Sequence, residues 1–515
     1  MANWGKARAL LGGAVLAMAA ALAAPAQAAE CGDLAGLSLP QGKVTSAALV
    51  APGAFRPAAG PGAPPGVGAG AYGSLPEFCR VQATLTPTSD SDIKVEVWLP
   101  AKNWNGKFVG VGNGIWAGTI SYSALAETIA RGYAAASTDT GHTGTGMSGE
   151  FAAGHPEKLV DFGHRAVHEM VVAAKRAVEA YYGSAPKLSL WNSCSTGGRQ
   201  GLMEAYRYPE DFDAISAMAP ANPMTELMTQ TMWAGWQPNR APGAKVSVPK
   251  MAAVHRAALA QCDKLDGLED GLIGRPDACR FDPGTVEGLT AAEVETVRAI
   301  YNGPPGLPGW PVGSETQLAA LTQGPQPFPV ALTYFQLLVF GDQPGWDWKT
   351  FDYARDLQRG REYGAHILDV PANGLGAFFT RGGKLLLSHG WTDGLIPANN
   401  TLRFYDGLRS TLSGAQADQL RLFMVPGMDH CAGGEGASQF DTLGTIDEWA
   451  TTGRPPNRLV ATRPTAAGGP PGAPAAPPRA PLSRPLCAWP YYAEYRGEGD
   501  PNAESSFRCV DPRRT

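Results

Sequence analysis

The stretch Trp191-Asn192-Ser193-Cys194-Ser195-Thr196-Gly197-Gly198-Arg199-Gln200-Gly201 decides the fold. A short apolar run, Lys187-Leu188-Ser189-Leu190-Trp191, leads into it and reads as a buried strand. Gln200-Gly201-Leu202-Met203-Glu204-Ala205-Tyr206 leads out of it and reads as the opening of a helix. Ser195 therefore stands where a strand turns sharply into a helix. Such a turn crowds the backbone, so its neighbours must be small; here they are Ser193 before, and Gly197 and Gly198 after. The turn lifts the Ser195 hydroxyl clear of the sheet and aims the helix N-terminus at any oxyanion formed beside it. Taken alone, small-x-Ser-x-Gly is equally a plain Ser/Gly-rich connection. What separates the two readings lies further along the chain.

Two later strands end in the groups that a serine nucleophile requires. Lys384-Leu385-Leu386-Leu387-Ser388-His389 runs into Gly390-Trp391-Thr392-Asp393, and residues 420–425 run into Pro426-Gly427-Met428-Asp429-His430-Cys431. Serine, then aspartate, then histidine, each after the C-terminal end of a strand, is the chain order of α/β-hydrolases rather than of chymotrypsin or subtilisin. His430 would take the Ser195 proton and return it to the leaving alcohol, while Asp393 would fix the imidazole tautomer and stabilise its charged form. Asp429 is a rival acid, but its adjacency to His430 places it badly for the far ring nitrogen. Cys194 directly precedes the proposed nucleophile and Cys431 directly follows the proposed base. A bridge between them would tie the two catalytic loops together and limit their drift, and small misplacements of reacting groups are costly.

The rest of the chain supplies a matching frame. Residues 80–86 and 93–99 alternate in polarity around Thr88-Ser89-Asp90-Ser91 and predict an antiparallel hairpin. Lys107-Phe108-Val109-Gly110-Val111 predicts a strand ending in the Gly-rich loop Gly112-Asn113-Gly114-Ile115-Trp116-Ala117-Gly118, which either turns a backbone N–H toward a substrate or is a plain tight turn. Residues 133–138 and 213–220 predict two more strands. Ala166, Val167, Met170, Val171, Ala174 and Val178 recur at helical spacing between them. Alternating strands and helices imply a mainly parallel sheet. From residue 224 to 376 the rhythm changes to a Trp-, Tyr-, Phe- and Gln-rich segment without strand–helix alternation, read as an inserted lid domain. The expected organisation is thus a signal peptide (1–28), the first part of the core (29–223), the lid (224–376) and the second part of the core (377–515). Residues 30–75 are expected to be loop, and the Pro/Ala/Gly-rich stretch 464–484 an extended loop.

The 515 residues include 44% hydrophobic and only 17% charged residues, enough apolar material for a sizeable core. Lys6 and Arg8, the apolar run at 10–24 and Ala26-Gln27-Ala28 have the three-part form of a secretory signal with an A-x-A cleavage site. Its removal takes the net charge from −5 to −7. No basic patch points to nucleic acid, and no later run is long enough to span a membrane. Export, to the periplasm or outside the cell, permits disulfides. All eight cysteines lie beyond the signal, an even number that leaves 105 pairings open. The spacing offers no C-x-x-C zinc or redox motif.

Cys194-Ser195-x-Gly197-Gly198, the loop His389-Gly390-Trp391-Thr392-Asp393 and the pair His430-Cys431 resemble the tannase/feruloyl esterase family, which includes tannases, feruloyl esterases and mono(2-hydroxyethyl) terephthalate hydrolase. The resemblance runs from about Cys31 to Cys509. It implies an α/β-hydrolase fold with a large lid inserted between late core strands. It also implies a secreted serine esterase acting on aromatic-acid esters of plant cell-wall or polyester origin, with no organic cofactor. It implies that Thr196 and Gly114 supply oxyanion N–H groups, although Asn113 and Ile115 interrupt the longer glycine run usual in the family. Asp263, Asp266 and Asp270, with two glycines between and after them, form an acidic turn whose residues alone read most simply as solvated. The resemblance implies calcium there, held by those carboxylates and the carbonyls of Leu268 and Leu272; calcium takes oxygen ligands of this kind. Cys262 and Cys279 would close this loop, leaving Cys31–Cys79 and Cys487–Cys509 as local pairs. Trp233, Trp236, Trp346 and Trp348 of the lid are candidates for stacking on a substrate ring. No arginine of the lid is assignable to a substrate carboxylate, which leaves a terephthalate-monoester hydrolase open as the alternative. A peptidase or acyltransferase on the same triad, and a catalytically silent carbohydrate- or polymer-binding protein, are the competing readings. The intact Ser195, Asp393 and His430 set argues against the last.

Overall fold

A computed structural model of the chain describes residues 1–2, 29–57, 72–144, 146–463 and 480–514. The signal-peptide expectation falls almost wholly outside them. Ten strands form one sheet: β1 (Ser38–Leu39), β2 (Gly42–Val50), β3 (Phe78–Leu85), β4 (Ile93–Pro100), β5 (Lys107–Gly110), β6 (Ala134–Thr138), β7 (Leu188–Cys194), β8 (Ala214–Met218), β9 (Lys384–Gly390) and β10 (Leu420–Val425). Their spatial order is β1-β2-β3-β4-β6-β5-β7-β8-β9-β10. The pairings from β1 to β4, and of β4 with β6, are antiparallel, whereas those from β6 through β5 to β10 are parallel. The two chemistries of strand follow. β3 alternates buried and half-buried residues along most of its length, as a strand of an antiparallel sheet does. β8 and β9 are buried almost throughout, as strands covered on both faces must be.

Helices cover both faces. On one side lie α2 (Ala166–Tyr182) and α3 (Thr196–Arg207), with α8 (Ala398–Thr411). The other face carries α1 (Tyr122–Ala130) and α9 (Thr442–Thr452), whose Leu125, Ile129, Leu443, Ile446 and Trp449 pack against Val109, Leu190 and Leu386 of the sheet. Between β8 and β9 come α4 (Met224–Trp236), α5 (Val248–Cys262), α6 (Ala291–Asn302) and α7 (Tyr353–Leu368), with shorter helical turns and apolar clusters of their own. Within this segment Trp233 lies 6.1 Å from Trp236 with near-parallel rings, and Trp346 stacks on Phe340 at 4.9 Å.

Two expectations are corrected. Residues 30–75 are not simply loop: β1 and the nine-residue β2 extend the sheet there. The stretch 464–484 does not stay loop to its end, because Leu482 opens β12 (Leu482–Cys487), which pairs with β11 (Arg458–Arg463). A second small ribbon joins β13 (Tyr492–Tyr495) to β14 (Phe507–Val510). The four bridges are Cys31–Cys79, Cys194–Cys431, Cys262–Cys279 and Cys487–Cys509, with Cα–Cα distances of 5.5–5.9 Å. Among the described residues no helix is long and apolar enough to cross a membrane.

Candidate active site

β7 ends at Cys194 and α3 begins at Thr196, so Ser195 alone makes the turn, with φ 63° and ψ −126°. The helix thus opens four residues earlier than the apolar pattern suggested. A side chain in this backbone conformation is strained, and hydrogen bonds hold it in place. The Ser195 amide donates to Met218 O at 2.9 Å, and its carbonyl accepts from the amides of Arg199 at 3.0 Å and Ala221 at 3.1 Å. The small neighbours are required by space. A Cβ on Gly197 would stand 2.7 Å from Ser193 Cβ, and one on Gly198 2.7 Å from Met218 O.

The structure brings Ser195, His430 and Asp393 together. His430 Nδ1 lies 2.7 Å from Asp393 Oδ2, and His430 Nε2 lies 3.0 Å from Ser195 Oγ. A carboxylate only accepts, so Nδ1 carries the proton and Nε2 is left to accept from the serine hydroxyl. Asp393 is fully buried. Burial alone would raise its carboxyl, but His430, His389 and their hydrogen bonds hold it well below the usual carboxylate range. Its Oδ1 accepts from the amides of Leu395 at 2.8 Å and Ile396 at 2.9 Å. The rival Asp429 accepts instead from Thr392 Oγ1 at 3.0 Å.

His389 is the participant that sequence reasoning missed as an individual residue. It is completely buried. Its Nε2 donates toward Asp393 Oδ2 at 3.1 Å and Ile396 O at 3.2 Å, while Nδ1 accepts from Thr401 Oγ1 at 2.7 Å. Asp393 therefore sits between two imidazoles, four and thirty-seven residues away along the chain. A histidine next to the last position of a buried strand, four residues before the acid, was the available signal.

The Gly112–Gly118 loop lies against the nucleophile turn. Gly114 and Ile115 line the same cavity as Ser195, Thr196 and His430. The residues that break the glycine run fasten it. Asn113 donates through Nδ2 to Thr119 O and Thr138 O, at 2.7 and 2.9 Å. Its amide donates to Gln200 Oε1 at 3.0 Å and its carbonyl accepts from Gly197 N at 2.8 Å. Thr196 Oγ1 donates to Ile115 O at 2.8 Å, and Ile115 itself has φ 55°. Among the described residues nothing accepts a hydrogen bond from the amide of Gly114. The amide of Thr196, at the first position of α3, has no intrahelical acceptor.

Cys194 and Cys431 are bonded across a sequence separation of 237 residues, joining the loop that carries Ser195 to the one that carries His430. The cavity beside them measures about 360 Å³. None of Trp233, Trp236, Trp346 and Trp348 lines it; these side chains pack into the helical segment, so the stacking expectation is corrected.

On the acidic turn, Asp263 accepts from the amides of Asp270 and Gly271, Asp266 from Leu268 N, and Asp270 from Leu272 N. Asp270 Oδ2 also meets Arg484 at 2.5 Å. Burial, and then the neighbouring Asp270 and Asp263, push the Asp266 carboxyl up to about 7, and burial raises Asp263 as well. The carbonyls of Leu268 and Leu272 accept no hydrogen bond from the described residues. These carboxylates and carbonyls are oxygen donors of the kind a hard cation takes, but the three carboxylates do not all lie within 4.8 Å of one another. A different trio, His168, Glu204 and Asp211, is the one described group whose ligating atoms all lie within 4.8 Å of one another. There burial, then Asp211, raises the Glu204 carboxyl well above its ordinary value, and Lys175 donates to Asp211 O at 2.6 Å. That cluster reads as a buried carboxyl pair with its own cation.

A mixed sheet of this order, with serine, aspartate and histidine on the loops after β7, β9 and its parallel neighbour β10, defines an α/β-hydrolase. The chain belongs to the tannase and feruloyl esterase family, whose sequence profile matches residues 79–510. It is 32% identical to an uncharacterized esterase of Xanthomonas campestris, over 97% of this chain and 94% of that protein. It is 31% identical to a probable feruloyl esterase B-1 of Aspergillus flavus, over 84% and 86%. The crystal structure of feruloyl esterase B from Aspergillus oryzae superposes with a TM-score of 0.81 at 26% identity, over 93% of this chain and 99% of that one.

Proposed function

We propose that the protein is an exported serine carboxylic-ester hydrolase acting on esters of aromatic acids through an acyl-enzyme on Ser195. The observation that carries this reading is the chain of contacts from Ser195 Oγ to His430 Nε2 at 3.0 Å and from His430 Nδ1 to Asp393 at 2.7 Å. Family membership supports the ester as the bond attacked, and four disulfides with a signal-like leader support export. As Ser195 Oγ adds to the carbonyl carbon, its proton passes to His430 Nε2. The imidazolium is stabilised by Asp393, and the oxyanion is met by the amides of Thr196 and Gly114. Collapse of the tetrahedral species returns the proton to the leaving alkoxide and leaves the acyl group on Ser195. Water then repeats the sequence and releases the acid. Ser195→Ala is expected to lower kcat for p-nitrophenyl acetate by more than about 10⁴-fold, with the melting transition nearly unchanged. Activity within tenfold of the parent would refute the nucleophile.

The helical segment 224–376 acts as a lid over this site. Calcium belongs on its acidic turn, held by Asp263, Asp266 and Asp270 and the carbonyls of Leu268 and Leu272. When bound it fixes the loop and supplies no reacting group. EDTA is therefore expected to lower the melting temperature and added calcium to restore it. A melting curve indifferent to both excludes a structural cation here.

A further inference from the structure

Behind the candidate active site lies a cluster whose central side chain meets no donor. His168 stands near the start of α2, Glu204 on the last turn of α3, and Asp211 in the turn that leads to β8. Each offers a ligating atom, and these atoms all lie within 4.8 Å of one another. His168 Nδ1 is 2.7 Å from Asp211 Oδ2. Glu204 is 1% exposed, and neither of its carboxyl oxygens takes a hydrogen bond from any described residue. A buried carboxyl without a donor is costly, so a partner from outside the chain is needed to meet it. Lys175, further along α2, does not fill that role. Its ammonium donates to the Asp211 main-chain carbonyl at 2.6 Å and, among the described residues, forms no ion pair with either carboxyl.

The ligating groups are held from behind. The His168 ring stacks on Tyr208 at 3.9 Å with 9° between the planes, and Tyr208 OH meets His164 Nδ1 at 2.8 Å. The Asp211 amide donates to Tyr208 O at 2.9 Å. Partners of this kind fix the orientation of metal ligands. One imidazole nitrogen with two carboxylates suits a borderline divalent ion such as zinc, whereas calcium and magnesium take oxygen throughout. Metal–ligand bonds of about 2.0–2.2 Å set tetrahedral ligands about 3.3 Å apart. The widest pair here would close by at most about 1.5 Å and the closest would open by about 0.6 Å, which small side-chain rotations supply. The His168 side chain is 29% exposed, giving the ion a path in and room for a water as fourth ligand.

We propose that His168, Glu204 and Asp211 form a binding site for a zinc-class divalent ion, structural in role. The ion ties α2 to α3 and to the turn before β8, and supplies no reacting group. Because α3 opens at Ser195, the site braces that helix from its far end. The proposal stands whether or not Ser195 is the nucleophile. The neighbouring Lys175 ammonium opposes a second cation, so the affinity is of micromolar order.

The test uses the mature, tag-free enzyme. Its cysteines are all in disulfides, so no thiol competes for the ion. The protein is stripped with chelator, dialysed into excess calcium to fill any site for a hard cation, then titrated with zinc by calorimetry and with cobalt by visible absorption. One equivalent of zinc is expected to bind with Kd below about 10 µM, cobalt to show the d–d bands of a four-coordinate ion, and the melting temperature to rise with zinc. His168→Gln and Glu204→Gln should each weaken zinc binding at least about tenfold. Should the buried Glu204→Gln variant fail to fold, His168→Gln, at a half-exposed position, decides alone. No binding at about 100 µM zinc overturns the site. Parental affinity in the folded variants also overturns it, because the ion then sits elsewhere.

Discussion

Asp393 shows how much of a carboxyl's behaviour is set by its neighbours. It is buried, and an isolated buried carboxylate would take up a proton. Two imidazoles and two backbone amides instead keep it ionised. His389 is the less obvious of the two imidazoles, since it touches neither Ser195 nor the cavity. It reaches the proposed site only through Asp393 Oδ2. His389→Gln is therefore expected to lower kcat by about tenfold to a hundredfold with little change in KM, because the base is slightly misplaced while substrate binding is not. Asp393→Asn should cost on the order of 10⁴, and Asp429→Asn far less. If Asp429→Asn proves the more damaging, the acid has been misassigned. At this scale the meeting of Ser195, His430 and Asp393 was legible because each follows a strand in a fixed chain order. The role of His389 was not, since a histidine inside an apolar strand looks like core. Neither was the clamp made by Asn113, whose partners Thr119, Thr138, Gly197 and Gln200 are fixed only by the fold.

The elements that hold the site are loops fastened by covalent and polar ties. The turn after β7 and the turn after β10 are joined by Cys194–Cys431, whose Cα atoms stand 5.9 Å apart. Each cysteine adjoins one of the two groups that must meet at hydrogen-bond distance. Closing a loop of that length is worth roughly 2–5 kcal/mol, by a mechanism that remains model-dependent. The pair Cys194→Ser with Cys431→Ser is expected to lose both stability and kcat. Removal of Cys487–Cys509, which links the two terminal ribbons, should reduce stability alone. Equal losses of activity in the two double variants, measured on the folded fraction, would show that the first bridge does not position the site. The pairing next to the triad was legible from twin adjacency in the sequence. β2 was not legible: it mixes Ala, Ser and Thr with few large apolar residues, and a bulge between Val44 and Ser46 breaks its alternation. β11 to β14 are four to six residues long and carry too little periodicity to announce themselves.

The whole molecule joins a sheet, two helical faces and an inserted helical segment, and buried carboxyls sit at the joins. Asp139 closes the junction of β6 with β4, accepting through Oδ1 from Lys94 N at 2.8 Å and Gly141 N at 2.9 Å. Asp369 ties the end of α7 to the start of α4, accepting from Thr225 N at 2.9 Å. Burial, outweighing these donors, pushes Asp139 up to about 7 and Asp369 up to about 6, from an ordinary 3.8. In both cases the folded protein holds its proton to a higher pH than the unfolded chain does. Their stabilising contribution is complete below about pH 4 and is lost as pH rises through 6 and 7. Asp393, Asp441 and Asp447 act in the opposite sense, because their lowered values remove stability as pH falls below the ordinary carboxylate range. Stability should therefore peak in mildly acidic solution and decline toward pH 8. Asp139→Asn keeps an oxygen for both amides and removes the titration. Its melting temperature, relative to the parent measured at the same pH, is expected to rise by about 2 °C or more between pH 5 and pH 8. A difference that stays constant across that range would show that Asp139 is ionised in the folded protein throughout, and that the decline at higher pH originates elsewhere.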